Sequence, residues 1–519
     1  MKTTKLLTGV LIASLMVTGC QNAEQSSSEK PAESKVDNKS PYLASKKPID
    51  MTIHYHHYDG LYVFDNDWDV FKKAAEETNV TLKGVAPKTS TNSVEAFNLM
   101  IASGEIPNLV FGIKNDINEY AQEGAFLPLD ELIKKHAPNI QKMIEKMPEI
   151  KASNVAADGK LYIVPYVYSE GAAQGYFIRK DWMDKLGLKT PETVDDYYNV
   201  LKAFREKDPN GNGKKDEVPY FNRDGSYLDD LVTLWGANEG LYLDGDQVKF
   251  GPMDSEYAKA MENLAKWYKE GLIDPEIFTR GSEARDYMLG NNLGGSTRDW
   301  FASTSAYNEQ LKDKVKGLQF VPIAPPENTE GKRVEPTSRN PITDMGLAIG
   351  HSTEDPVAAI KYLDFFFSEE GRKLMNYGVE GVTYDLVDGK PVLKGEILNS
   401  QSVPEKLRQY GAQTNLPYQH DAEYEKQFLN EIAIQGVELY EKNNYFRTLF
   451  PPLGFTKDEE KVITDKKAQI ATYVDETVQK WIMGVEPINY EDFKKQLENL
   501  GIEEYLKTNQ QAYDRMKKN

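Results

Sequence analysis

Ten consecutive residues, Asp208-Pro209-Asn210-Gly211-Asn212-Gly213-Lys214-Lys215-Asp216-Glu217, carry the sharpest chemical pattern in the chain. Side-chain oxygens stand at loop positions 1, 3 and 5 (Asp208, Asn210, Asn212), and Gly213 at position 6 permits a sharp turn. The carbonyl of Lys214 follows at position 7 and Asp216 at position 9. A hard cation such as Ca²⁺ takes about six to eight oxygens, and this spacing wraps a chain around one. The pattern then leaves the EF-hand, with Glu217 at position 10 and Pro219 at position 12. An ion held here would be structural. The same residue types also favour a plain turn between a helix and a strand.

Other side chains suit recognition rather than turnover. His54 and His56 share one face of an extended segment, a possible start of a metal site, but no partner of metal-ligand spacing accompanies them. Polar side chains lining a cleft are the alternative. Tyr166, Tyr168, Tyr176, Trp235 and Trp300 lie near strand ends, where an aromatic face can pack on the C–H face of a sugar ring. Trp300 stands out, because Gly294-Gly295-Ser296-Thr297-Arg298-Asp299 before it is too polar for an ordinary core element. Arg298 and Arg339 are candidates for a carboxylate, since a guanidinium fork matches its geometry; pairing with nearby Asp is the alternative. No GxSxG, P-loop, HExxH or post-strand GxGxxG occurs, so no catalytic residue is assigned.

These residues need a large scaffold. The 519 residues predict two or more lobes. A net charge of −19 argues against nucleic acid and against adsorption to anionic lipid. The single cysteine, Cys20, excludes an intramolecular disulfide and a cysteine metal cluster. Alternation predicts a strand at 51–56; further strands are predicted at 80–85, at 109–111 as a short buried strand, and at 161–165, 176–178 and 347–349. Helical periodicity predicts a helix capped by Asp67, others at 96–103, 194–206, 256–270 and 357–367, and a mainly helical region after about residue 425. The opening strand–helix alternation predicts a mostly parallel sheet with right-handed crossovers.

The first twenty residues have a different purpose. Lys2 and Lys5 precede an apolar run from Leu6 to Met16, too short to span a bilayer, and then Val17-Thr18-Gly19-Cys20. This resembles a bacterial lipoprotein signal peptide with Cys20 as the lipidated residue. Residues 21–47 are rich in Gln, Ser, Glu, Lys and Pro and predict a disordered tether. The expected location is extracytoplasmic, anchored to the cell membrane by Cys20.

From about Pro48 onward the chain resembles extracellular solute-binding proteins of carbohydrate ABC importers, and more closely the alginate-binding periplasmic proteins. The carriers include the His54–His56 segment, Gly175-Tyr176-Phe177-Ile178-Arg179, the Asp208–Glu217 loop, Trp267-Tyr268-Lys269-Glu270-Gly271-Leu272-Ile273-Asp274, and Asp299-Trp300-Phe301-Ala302-Ser303-Thr304. The resemblance implies an α/β, two-lobed periplasmic-binding-protein fold with a hinged interlobe cleft and a helical C-terminal region. One lobe is expected from 48–165 plus 325–425, the other from 166–324 plus 426–519. It implies a structural calcium held by Asp208, Asn210, Asn212, the Lys214 carbonyl, Asp216 and Glu217. It implies a non-enzymatic monomer that binds an acidic oligosaccharide, alginate- or glycosaminoglycan-derived, and serves an ABC permease. Trp300, Tyr166, Arg298, Arg339, His56 and Asn92 are the ligand-binding candidates. Departures from the alginate-binding pattern, Gln419 for a tryptophan and Arg298 for a histidine, bear on which saccharide fits. A surface lyase or hydrolase, or a binding protein for a neutral oligosaccharide or peptide, are the alternatives.

Overall fold

The computed structural model describes residues 40–57, 62–90, 92–169, 171–223, 225–337, 339–400 and 402–518. The leader, Cys20 and the tether up to residue 39 lie outside them. The predicted tether ends earlier than its composition implied: Ala44 and Ser45 donate backbone N–H groups to Thr78 O, and the Tyr42 ring meets Phe365 edge-on at 5.3 Å. Two apolar side chains in a polar stretch suffice to lay residues 40–47 onto the body.

In chain order the strands are β1 (Ile49–His54), β2 (Val80–Gly84), β3 (Leu109–Ile113), β4 (Val164–Val167), β5 (Gln174–Arg179), β6 (Val218–Tyr220) and β7 (Leu241–Asp244). Then follow β8 (Gln247–Phe250), β9 (Gly294–Trp300), β10 (Phe320–Ile323), β11 (Ile342–Ile349), β12 (Tyr384–Val387) and β13 (Lys390–Leu393). They form a five-stranded sheet of order β2-β1-β3-β11-β4 and a four-stranded sheet of order β10-β5-β9-β6, with β7-β8 and β12-β13 as separate hairpins.

The predicted parallel sheet is realised in β2-β1-β3, whose alternating residues put Met51 and Ile53 inward. Elsewhere it is not. β11 runs antiparallel to both β3 and β4, and in the second sheet only the β6–β9 pair is parallel. The chain returns to the first sheet from the second through β11, so β11 enters from the opposite end. Residues 161–163 precede the strand predicted there, which runs instead over Val164–Val167. Asp67 is not the cap of the first helix: Asp69–Thr78 begins after Trp68, and the Asp67 carboxylate pairs with Lys72.

Each sheet builds its own apolar core. The first gathers Ile53, Phe71, Leu109, Leu347, Leu363 and Tyr418, and the second Tyr176, Leu201, Trp235, Met261, Trp267 and Trp481. The C-terminal helices belong to the second core: Lys457–Ile482, opened by a Thr456/Glu459 capping box, contributes Ile463, Ile470, Val474 and Val478. Backbone packing is tight where β11 lies between two strands. A Cβ on Gly346 would sit 2.2 Å from Val164 O. Gly346→Ala is therefore expected to cost about 3 kcal/mol, at the upper end of overpacking penalties, measurable as a lower midpoint in urea denaturation.

Candidate ligand-binding cleft and the 208–217 loop

Three segments carry the chain between the sheets: the link after β4, the link from β10 to β11, and the turn Ala422–Gln427 that leads to the helix Glu431–Asn443. Arg339 ties them together. Its N–H donates to Gly171 O on the first link (3.1 Å), and its guanidinium pairs with Glu425 on the third. A hollow of about 600 Å³ opens beside it, lined by Gly171, Arg339, Pro341, Glu441 and Arg447. Gly171 has φ 151°, and a Cβ there would meet the Glu441 carboxylate, which accepts a hydrogen bond from Ala172 N. Glycine is what lets that carboxylate approach.

The Arg339 guanidinium lies 5.5 Å from the Tyr168 ring centroid, and its Nε has no hydrogen-bond partner. Burial alone would push the Glu425 carboxyl up, but the His420 ring, its Nε2 3.5 Å away, and the paired Arg339 guanidinium hold it below the usual range. Tyr166, expected to stack on a ligand, is instead 2 % exposed. It packs at 5.0 Å from Tyr418 and 5.1 Å from Tyr168. The segment Tyr418–His420 pairs alongside Val167 and closes the face that Tyr166 would have used.

Arg298 is likewise placed where it meets no solute. It has no exposed surface, and its guanidinium donates to Glu335, to Asp230 and to Thr337 Oγ1 (2.7 Å). Burial pushes the Asp230 carboxyl up to about 6 despite Arg298. Arg298 thus fastens β9 to the link holding Glu335, which itself bonds to Tyr445 and Arg447 through the backbone. Arg179 and Arg223 pair with Asp181 and Asp299.

Trp300 ends β9, two residues beyond Arg298, and is half-buried. The other five tryptophans, Trp68, Trp182, Trp235, Trp267 and Trp481, are in the two cores. Trp300 is in none of the hydrophobic clusters among the described residues. Trp235, grouped with it by sequence, packs against Trp267 at 5.1 Å.

At the β1 end of the first sheet, His54 and His56 line a small recess with Ser93, Phe97, Asp116 and Met345. The His56 ring nitrogens lie 2.9 Å from Ser90 O and 3.2 Å from Ser93 Oγ. Asn92 is exposed and accepts from Glu95 N as the cap of the helix Ser93–Ser103. His54 is 2 % exposed; burial, then the neighbouring His56, brings its imidazole down to about 4. As pH falls below about 6.5 the unfolded chain takes up a proton that the folded chain refuses, so stability is lost towards pH 4. The loss expected by pH 4.5 is roughly 2–3 kcal/mol. Melts of wild type and His54→Gln across that range should show the variant losing less.

The 208–217 loop joins the helix Val194–Glu206 to β6. Asp208, at φ 50°, accepts from the N–H groups of Gly211, Asn212 and Gly213. Asp216 accepts from the side-chain amides of Asn210 and Asn212, and Lys214 N donates to Asn212 Oδ1. Glu217 is fully buried, and its Oε2 has no partner. Burial, then Asp208 and Asp216, pushes its carboxyl up. Among the described residues no three His, Cys, Asp or Glu side chains gather as a metal-holding group. The donor set here is mixed, two amides and a carbonyl beside three carboxylates, and the orphaned Glu217 oxygen fits a cation such as calcium.

The sequence model of the bacterial extracellular solute-binding protein family matches residues 69–385. The chain belongs to that family. This solute-binding protein is 41% identical to the alginate-binding protein AlgQ2, whose structure without calcium ion superposes with a TM-score of 0.77 over 92% of this chain and 100% of that one. It is also 25% identical to the fructooligosaccharide ABC transporter substrate-binding protein FusA of Streptococcus pneumoniae, over 88% of each chain. The polygalacturonan/rhamnogalacturonan-binding protein YtcQ of Bacillus subtilis is 26% identical over 90% of this chain and 86% of its own. The solute-binding protein shares the two-lobed α/β fold of AlgQ2 and FusA. Among its described residues no helix is long and apolar enough to cross a membrane.

Proposed function

We propose that this protein is the lipid-anchored receptor of an ABC importer. It captures a short acidic oligosaccharide, alginate- or glycosaminoglycan-derived, between its lobes and passes it intact to the permease. Cys20 is the anchor, the working form is a monomer, and the location is extracytoplasmic. The lobes divide after Val167, near 324 and near 425, where the chain leaves one core for the other.

The observation that carries this reading is full-length similarity to AlgQ2 combined with Trp300, the one tryptophan left out of the cores. YtcQ, a polygalacturonan/rhamnogalacturonan-binding protein, supports an acidic ligand. Trp300 supplies a stacking face, Arg339 a guanidinium at the crossing point, and His56 and Asn92 polar groups on the opposite lobe. Ligand contacts to both lobes stabilise the closed state that the permease reads. Asp208, Asn210, Asn212, Lys214 (carbonyl), Asp216 and Glu217 hold calcium, which braces the second lobe by gathering their oxygens.

Calorimetry with unsaturated alginate- and glycosaminoglycan-derived oligosaccharides tests the reading. Trp300→Ala should weaken binding by about 2 kcal/mol, roughly thirtyfold, without changing the melting temperature. Unchanged affinity would remove Trp300 from the site. Recovery of cleaved or newly unsaturated sugar would favour a lyase or hydrolase instead.

A further inference from the structure

We infer a second binding site, for an acidic oligosaccharide, in an open groove of about 1250 Å³ on the first lobe. It shares no lining residue with the hollow beside Arg339. The turn Ala422–Gln427 divides the two: Glu425 pairs with Arg339 on one side, while Glu423, Lys426 and Gln427 line the groove.

The argument is electrostatic first. In a chain of net charge −19, this groove collects six cations against three carboxylates, Glu369, Asp421 and Glu423. Lys373 is paired with Glu370, and Lys426 with Glu423. Lys142, Lys146, Arg372 and Lys390 have no ion-pair partner among the described residues, and Arg372 Nε is buried without a hydrogen bond. Like charges left facing one hollow repel one another unless an anion joins them.

The layout then selects the anion. Lys142 and Lys146 stand one turn apart, about 6 Å, on the helix Pro138–Lys146. Arg372 and Lys373 come from the helix Glu369–Tyr377, Lys390 from β13 and Lys426 from the dividing turn. Charges drawn from four separate elements match a chain with repeated charges better than one compact anion. Between them lie the exposed Val392, the half-buried Pro391 and the amides of Asn139 and Gln419, over a floor of Met143, Phe367 and Tyr377 that belongs to the first core. Apolar faces interleaved with amides fit sugar rings and hydroxyls better than a bare polyphosphate. This inference rests on the groove alone and not on the cleft reading.

The test uses the mature chain and fluorescence anisotropy with labelled heparin-derived and oligogalacturonate octasaccharides, in wild type and Trp300→Ala. Lys142→Gln, Lys146→Gln and Lys390→Gln together alter exposed side chains. They should weaken saccharide binding in the Trp300→Ala background by about tenfold or more. The charge-matched set Lys207→Gln, Lys259→Gln and Lys269→Gln, exposed on the other lobe, should change it by less than about twofold. Equal effects of the two sets, or loss of all saccharide binding on Trp300→Ala alone, would overturn the site. Inorganic tripolyphosphate competing as well as the saccharides would overturn the assignment of ligand class.

Discussion

Arg298→Met is expected to destabilise the protein by roughly 3–5 kcal/mol, the cost of leaving buried carboxylates without their cation. Glu335 is fully buried and Asp230 nearly so, and both point their oxygens at the lost guanidinium. The measurement is the urea midpoint. Replacing the whole group, Arg298→Met with Glu335→Gln and Asp230→Asn, should recover much of the loss, because no buried charge is then stranded. A single variant within about 1 kcal/mol of wild type would mean that water reaches these groups. The same variant should also weaken ligand binding, since Arg298 lies two residues before Trp300 and fixes β9 to the link that carries Glu335 and Arg339.

The second large effect concerns the 208–217 loop. On the proposed calcium reading, stripping the protein with a chelator removes a ligand that binds only the folded chain. At a free concentration about a hundredfold above the dissociation constant, the stabilisation lost is about 2.7 kcal/mol. Thermal melts with and without added Ca²⁺ should differ accordingly. Asp208→Ala should abolish the difference, because Asp208 gathers three backbone N–H groups as well as offering the first ligand oxygen. Identical melts in calcium and chelator would count against the ion and leave the loop as a turn.

What could be read from the chain beforehand was local. The loop was legible because its donors fall within ten residues. The strand β1 was legible from alternation and β3 from its apolar run. The stretch before Trp300 was misread: Gly294–Asp299 looked too polar for a core element, yet it is the buried strand β9, its polar side chains satisfied by partners distant in sequence. What could not be read depended on distant partners. Arg298 looked like an exposed anion receptor because Glu335 and Asp230 lie 37 and 68 residues away. Tyr166 looked available because nothing near it in sequence announces that Tyr418–His420 will cover it. The antiparallel entry of β11 follows from a return path between sheets, which no local pattern encodes. The groove cations are dispersed over nearly 290 residues, and only the fold gathers them.

On the proposed closure, the clasp at Arg339 also sets how the molecule moves. Three ribbons joined at one arginine, by its backbone N–H to Gly171 and its guanidinium to Glu425, would act as a single axle, so that the halves swing about a line and resist sliding past each other. On an axle, a small rotation at the pin becomes a large sweep at the rim. Saccharides of different thickness would then be told apart by the angle at which the jaws stop.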